Sequence, residues 1–150
     1  MSDAFVPGLR YPSDAHQLWA LLVEVLPLWE ARMAEVSVSV GLSPVQTWAL
    51  IQLNPERPLS QKELAERLHC TPSTVVDPAD RLEERGLVVR QTHARDRRIK
   101  ELVVTSAGRA LRDELIQRLF EPPAMLDHVP AERRSALRDT LLQALSQRNS

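Results

Sequence analysis

The chain has 150 residues and is 43% hydrophobic, the size and composition of one globular domain that buries roughly 70% of its unfolded surface. The formal net charge of −1 excludes a global basic excess as an argument for nucleic-acid binding, so such binding would need a local patch. The single cysteine, Cys70, excludes an intrachain disulfide, and no apolar run is long enough to span a membrane. Met1 to Tyr11 lacks the features of a secretory signal, and we therefore expect a cytoplasmic protein.

The first half of the chain predicts three helices. Apolar residues recur at helical spacing over residues 13–38, which indicates a long amphipathic helix. The segment SPVQ at 43–46 combines a capping serine, a proline at the first helical position and a glutamine three residues after the cap, so it begins a second helix that ends near Leu53. The segment SQKE at 60–63 repeats the capping pattern and begins a third helix, which ends near Leu68.

The second half predicts a helix, two strands and two further helices. Thr71-Pro72 begins a helix that ends before Gly86, a residue suited to the left-handed position after a last turn. Two β-strands follow, joined by an arginine-rich turn, at Leu87–Gln91 and Ile99–Thr105. The last two helices span residues 106–121 and 131–147. The predicted fold class is mainly α with a small β-hairpin wing, in the order of a winged helix-turn-helix.

The run LAERLHCTPSTVV, followed by DRLEERGLVVR and ARDRRIKELVVTSAG, resembles the multiple antibiotic resistance regulator (MarR) family of bacterial transcription factors. The resemblance implies a single domain over residues 1–150. In it, residues 13–38 and 106–148 form dimerisation helices and residues 43–105 form the winged helix-turn-helix. It also implies a homodimeric regulator of double-stranded DNA, acting as a repressor on a pseudo-palindromic operator with half-sites about 10 base pairs apart. Release from DNA by a small aromatic or lipophilic effector is a further family expectation.

The turn between the two strands is the predicted wing. Its cationic side chains fit the narrow, electronegative minor groove of A·T-rich DNA, and the resemblance makes Arg98 the side chain inserted there. Asp96 is expected to hold the Arg98 guanidinium through a bidentate pair. A solvated turn with an internal ion pair is the alternative.

The predicted recognition helix departs from the family pattern. Ser73, Thr74 and Val76 suit base edges and phosphates, but Asp77 stands where the family commonly has a cationic or neutral polar residue. Between residues 72 and 85 acids outnumber bases by two, so phosphate attraction must come from the wing, from the helix that begins at Ser60, and from helix N-termini. The full set of predicted DNA contacts is Ser60, Gln61, Lys62, Ser73, Thr74, Asp77, Arg81, Arg95, Asp96, Arg97 and Arg98.

Pro78 predicts a break in the same helix, because an interior proline removes a backbone hydrogen bond and disfavours α geometry in the preceding residue. The helix is expected either to kink or to restart with Asp77 as its N-cap. Asp77 and Pro78 are compatible with altered base specificity, since a carboxylate accepts a hydrogen bond from cytosine N4. They are equally compatible with impaired DNA binding, in a dimeric MarR-like protein that acts through a protein partner.

Other functions have weaker support. His16, Trp19 and Trp48 are the candidate effector-binding residues, with a purely structural role for the tryptophans as the alternative. Cys70 is expected to be a buried small hydrophobe rather than a redox switch. The four histidines lack metal-ligand spacing, and no catalytic motif is present, so we expect no metal, no cofactor and no enzymatic activity.

Overall fold

The computed structural model describes residues 10–147, so most of the N-terminal segment 1–12 and the last residue of the predicted dimerisation segment 106–148 lie outside the described residues. The chain forms two compact units, one up to residue 119 and one from residue 120. Over its described residues, 10–119, the first unit contains five α-helices: α1 (Asp14–Ser39), α2 (Pro44–Gln52), α3 (Gln61–Arg67), α4 (Val76–Glu84) and α5 (Ser106–Leu119). These bounds lie within a few residues of the predicted ones, and the mainly helical fold class is confirmed.

Both predicted capping boxes are present. The Ser43 hydroxyl accepts a hydrogen bond from the Gln46 backbone N–H at 3.2 Å, and the Gln46 side chain accepts from the Ser43 N–H at 3.0 Å. At the start of α3, the Ser60 hydroxyl accepts from the Glu63 N–H at 3.2 Å, and the Glu63 carboxylate accepts from the Ser60 N–H at 2.8 Å. Each pair satisfies backbone donors that a helix start leaves without an intrahelical partner.

The wing belongs to a three-stranded antiparallel sheet rather than to an isolated hairpin. Its strands are β1 (Leu59–Ser60), β2 (Val88–Thr92) and β3 (Lys100–Val104), in the order β1-β3-β2. Leu59 lies opposite Leu102, and both side chains are buried. The sequence did not predict β1, because two residues carry no alternating pattern and become a strand only by pairing with β3.

The core of the first unit is formed by leucines that the helices and the sheet contribute in common. The largest of these fully buried side chains are Leu50, Leu53, Leu59, Leu64, Leu82, Leu102, Leu115 and Leu119. The helix α5 approaches this core closely at Gly108, where a Cβ atom would lie only 1.9 Å from the Leu87 carbonyl oxygen. A residue without a side chain is therefore required for α5 to pack at this distance.

The predicted recognition helix is divided in two. Residues Pro72–Val75 form a 3-10 helix, and α4 begins at Val76 with Val75 as its N-cap. The predicted restart with Asp77 as N-cap is not present, because Val75 and Val76 both have right-handed helical backbone angles and Asp77 lies inside α4. The segment changes from 3-10 to α geometry instead, and no side chain caps the start of α4. Pro78 falls in the first turn of α4, where backbone N–H groups have no intrahelical partner, so the proline removes no hydrogen bond.

The second unit contains a 3-10 helix (Ala124–His128) and α6 (Ala131–Gln147), which confirms the predicted last helix. An apolar groove in this unit is lined mainly by Leu126, Val129, Leu137, Leu141, Leu142 and Leu145. None of the helices in the described part of the chain is long and apolar enough to cross a membrane. The predicted arrangement of one domain with dimerisation helices at both ends stays a prediction.

Candidate nucleic-acid interface

The 3-10 helix and α4 together present one exposed face and one buried face. Val75, Pro78, Ala79 and Leu82 are buried, at the three- and four-residue spacing of a helix that packs on a core. The exposed side chains between them include four predicted DNA contacts, namely Ser73, Thr74, Asp77 and Arg81. The folded segment therefore presents these four predicted contacts together on its outward side.

The start of this face carries three clustered hydroxyl groups. The Thr71 hydroxyl lies 2.9 Å from the Ser73 hydroxyl and 2.9 Å from the Thr74 hydroxyl, and all three residues are exposed. Hydroxyl groups can both donate and accept, which suits them to phosphate oxygens and to base edges. Thr71 was not among the predicted contacts, although its position before Pro72 marked it as the start of the segment.

Two of the four acids in the segment do not belong to the outward face. Asp80 and Glu83 form hydrogen-bonded ion pairs with the Arg90 guanidinium on β2, and Glu83 also accepts from the Arg90 backbone N–H at 3.0 Å. Burial alone would lower the pKa of Arg90, but the hydrogen bonds that its guanidinium donates to the two carboxylates, together with their charges, raise that pKa above its usual value. The acidic excess counted along the sequence therefore overstates the negative charge of the recognition face, because Arg90 pairs with two of the four carboxylates and adds one positive charge beside them.

Arg81 and Arg85 have different partners. The Arg81 side chain lies between two carboxylates of its own helix, with Nη1 3.0 Å from Glu84 Oε2 and Nε 3.9 Å from Asp77 Oδ1. Arg85 instead donates to the carbonyl oxygens of Val40 and Gly41 after the end of α1, at 2.8 Å each. Arg81 thus stays on the exposed face, whereas Arg85 anchors α4 to the end of α1.

The start of α3 supplies one exposed cation. Lys62 is exposed, whereas Gln61 is half-buried and the Ser60 hydroxyl is occupied by the capping box. The hydrogen bonds from Ser60, with help from Arg57 and Arg67, lower the pKa of Glu63 below its usual value, so this carboxylate stays charged at the helix start. Of the three predicted contacts here, Lys62 is the one whose side chain is exposed, and it forms no hydrogen bond or ion pair with residues 10–147.

The wing tip is held by backbone hydrogen bonds. Asp96 Oδ1 accepts from the Arg98 backbone N–H at 2.9 Å, and His93 Nδ1 accepts from the N–H groups of Arg95 and Asp96 at 3.1 and 3.2 Å. The predicted bidentate pair between Asp96 and the Arg98 guanidinium is therefore wrong. A short acidic side chain two residues before a donor forms an Asx turn with the backbone instead.

This turn leaves the wing arginines unoccupied. The side chains of Arg95, Arg97 and Arg98 are exposed, and none of them forms an ion pair with any residue between 10 and 147. His93 contributes to the same tip from the sheet side, with Nε2 3.7 Å from the Glu101 carboxylate. The backbone is fixed while the three guanidinium groups remain available.

Comparison with known proteins agrees with this geometry. Residues 40–99 match the model of the MarR family. The solved structure of CouR from Rhodococcus jostii RHA1 bound to p-coumaroyl-CoA is 30% identical, with a TM-score of 0.68 over 87% of this chain and 93% of that one. The chain belongs to the MarR family.

Further MarR-related proteins extend the comparison. A MarR family protein from Bacillus stearothermophilus is 23% identical and shares the fold, with a TM-score of 0.80 over 95% of this chain and all of that one. The HTH-type transcriptional repressor MdtR of Bacillus subtilis (strain 168) is 33% identical over 99 residues, which are 66% of this chain. The matched region spans 61% of the length of MdtR. As a MarR family member the chain is a transcriptional regulator, in agreement with the prediction that it is not an enzyme.

The three predicted effector residues of this MarR chain do not lie in one pocket. His16 and Trp19 line an open recess of about 380 Å³ at the start of α1, where Trp19 is 68% exposed. Trp48 lines a separate cavity of about 340 Å³, where its ring meets that of Trp29 edge-on at 5.7 Å. Trp29 and Trp48 also pack against the core, so the structural alternative applies to Trp48 and not to Trp19. The effector role of all three stays a prediction.

Cys70 lies in the wall of the Trp48 cavity. It is half-buried and packs against the core, close to the predicted environment of a small hydrophobe. Thr74 and Val75 of the 3-10 helix also line this cavity. Between residues 10 and 147, no cluster of three potential metal ligands is present.

Proposed function

We propose that this MarR family chain is a sequence-specific, double-stranded DNA-binding transcriptional repressor. The observation that carries the proposal is the pairing of an outward recognition face with a wing whose three arginines are free for phosphates. A winged helix-turn-helix places such a face in the major groove, while a basic hairpin tip follows the adjacent minor groove. The relative MdtR is an HTH-type transcriptional repressor, which supports repression as the mode of action here. A regulator of this kind acts where the chromosome lies, which supports a cytoplasmic location.

The proposal includes a homodimer. Large apolar side chains along α1 are more than half exposed, although soluble proteins rarely leave so many in one stretch. They are Leu18, Trp19, Leu21, Leu26 and Leu28. A second copy of the chain would bury them, and twofold symmetry would present two recognition faces to half-sites about 10 base pairs apart.

Regulation by a small molecule is the third part of the proposal. The relative CouR has been solved with p-coumaroyl-CoA bound, which supports an aromatic or lipophilic effector for this chain as well. The cavity lined by Trp29 and Trp48 is the best candidate for the aromatic portion, because its walls are mainly apolar and include residues of the recognition segment. An occupant there would bear directly on Thr74 and Val75.

The rival proposal is a dimer that acts through a protein partner. It is favoured by the exposure of Asp77 and Glu84, whose charges oppose phosphate binding. Selection of bound duplexes from a random library, at two salt concentrations, separates the two functions. Enrichment of one inverted repeat at both salts supports the repressor, whereas retention that vanishes with salt and yields no repeat supports the partner-dependent function.

A further inference from the structure

We infer that Asp77 and Arg81 form a base-reading pair that selects a cytosine and a guanine in each operator half-site. The inference rests on the proposed DNA-binding function and names what the recognition face reads. It begins from the difference among the four acids of the segment. Asp80 and Glu83 are held by Arg90, and Glu84 is held by Arg81 near the end of α4. Asp77, with 79% of its side chain exposed, is the acid presented at the start of the helix.

The position of Asp77 is that of a base contact. In helix-turn-helix proteins the N-terminal residues of the recognition helix touch the base edges. Asp77 lies in the first turn of α4, and the hydroxyl groups of Ser73 and Thr74 precede it on the same exposed side. Pro78, which follows it, is buried, so the backbone beneath the carboxylate is fixed to the core.

The chemistry of a carboxylate then selects the base. In the major groove, guanine presents two acceptors, thymine an acceptor and a methyl group, and adenine a donor beside an acceptor. Cytosine alone presents its N4 donor without an acceptor at its own edge. Because phosphates repel a carboxylate, Asp77 is tolerated in the groove where that donor is available and is penalised elsewhere. This makes the acidic residue a device for discrimination rather than for affinity.

Arg81 supplies the complementary reading. Its guanidinium is fixed between Asp77 and Glu84, with one contact of 3.9 Å and one of 3.0 Å, and its side chain remains 58% exposed. A guanidinium with free N–H groups donates in a bidentate manner to guanine O6 and N7. Four helical residues rise about 6 Å, and base pairs are about 3.4 Å apart, so the two positions read should be about two base pairs apart.

The test is selection of bound duplexes by the purified full chain and its variants from one random library. The wild type is expected to enrich an inverted repeat with a fixed cytosine and a fixed guanine about two base pairs from it in each half-site. Asp77→Asn should keep the repeat but replace that cytosine by adenine, since an amide pairs with adenine N6 and N7. Asp77→Ala should leave the position degenerate, and each wild-type preference should be worth about tenfold in affinity.

The controls separate base reading from charge. Glu66→Gln removes one negative charge from an exposed site on α3 and should leave both preferences unchanged. Arg81→Lys keeps the charge but loses the fork, so it should weaken the guanine preference while the cytosine preference persists. A wild-type repeat whose cytosine survives in both Asp77 variants would overturn the inference and leave the proposed function standing. Failure of the wild type to enrich any repeat would overturn both.

Discussion

Arg90 on β2 pairs with Asp80 on α4, and through this contact the wing is fixed to the recognition helix. The same guanidinium reaches Glu83, and only 22% of its side chain is exposed. In its degree of burial, the Arg90–Asp80 pair is intermediate between two kinds of ion pair. A surface ion pair contributes little to stability, and the disruption of a fully buried one is costly. The contacts of Arg90 also determine which carboxylates belong to the recognition face.

Replacing Arg90 with alanine is expected to lower the free energy of unfolding by about 1 to 3 kcal/mol, because two half-buried carboxylates lose their partner. Arg90→Lys should lose less, since it keeps the charge without the fork. Arg109→Ala, which breaks an ion pair with the exposed Glu56, is the matched control and should cost no more than about 1 kcal/mol. Urea denaturation measures all three. An Arg90→Ala variant no less stable than the Arg109→Ala variant would contradict the role given to Arg90.

The capping box at the start of α3 predicts that the free energy of unfolding depends on pH. The pKa of Glu63 is lowered by the Ser60 hydrogen bonds, so its contribution to stability is complete above the ordinary glutamate pKa of about 4.3. That contribution is lost as the pH falls through the lowered value. Glu63→Gln keeps a capping side chain but does not titrate, so its deficit in unfolding free energy should be largest at pH 7 and shrink below about pH 4.3.

Denaturation of the wild type and of Glu63→Gln at a series of pH values checks this. Glu66→Gln, on the same helix but outside the capping box, corrects for the general effect of removing a charge. A deficit of Glu63→Gln that stayed constant from pH 7 to strongly acidic pH would show that the carboxylate charge does not stabilise the helix start.

The wing tip predicts that two substitutions of Asp96 differ in their effect on DNA affinity. Asp96→Asn keeps an oxygen that can accept from the Arg98 N–H and removes a negative charge, so the affinity for the selected operator should rise. Asp96→Ala removes the same charge and the turn hydrogen bond together, so its affinity should fall below that of Asp96→Asn. Fluorescence anisotropy with labelled operator, over a range of salt, measures both. Equal affinities would mean that the turn does not order the wing.

Substitution by alanine is expected to lower the free energy of unfolding by different amounts at two glycines. In Gly108→Ala the new Cβ would meet the Leu87 backbone, and a loss of more than about 2 kcal/mol is expected because backbone cannot yield as a side chain does. In Gly86→Ala the space is open and the penalty comes from the positive φ of 68°, about 1 kcal/mol. Thermal unfolding ranks the two. Gly86→Asn serves as the control, since asparagine tolerates this conformation.

The local features of the fold were predictable from the sequence. The capping boxes at Ser43 and Ser60 need only four consecutive residues, and the left-handed Gly86 needs only its position after a helix. The strand β1 was not predictable, because Leu59 and Ser60 are extended by pairing with residues more than forty positions away. The sequence predicts a kink or a restart with Asp77 as N-cap, whereas the structure has a change from 3-10 to α geometry at Val76, with Asp77 inside α4.

The candidate site was less predictable than the fold. From the sequence alone, Asp80 and Glu83 belong to the predicted DNA-facing surface. In the structure both pair with Arg90, which lies on a different element. The Asp96 prediction failed for a related reason, since the backbone competed successfully with a side chain for the same carboxylate. Both errors concern the hydrogen-bond partner of a carboxylate. That partner depends on which elements pack together, and the order of residues along the chain does not reveal it.

The separation of buried and exposed positions in the recognition segment has a consequence for protein engineering. Val75, Pro78, Ala79 and Leu82 anchor the segment, while residues 73, 74, 77 and 81 face outward. A library randomised at these four outward positions alone would leave the core sequence unchanged. The fold would then serve as a constant scaffold for a variable recognition surface. Variants that bind new operators could be selected without a search for compensating core mutations.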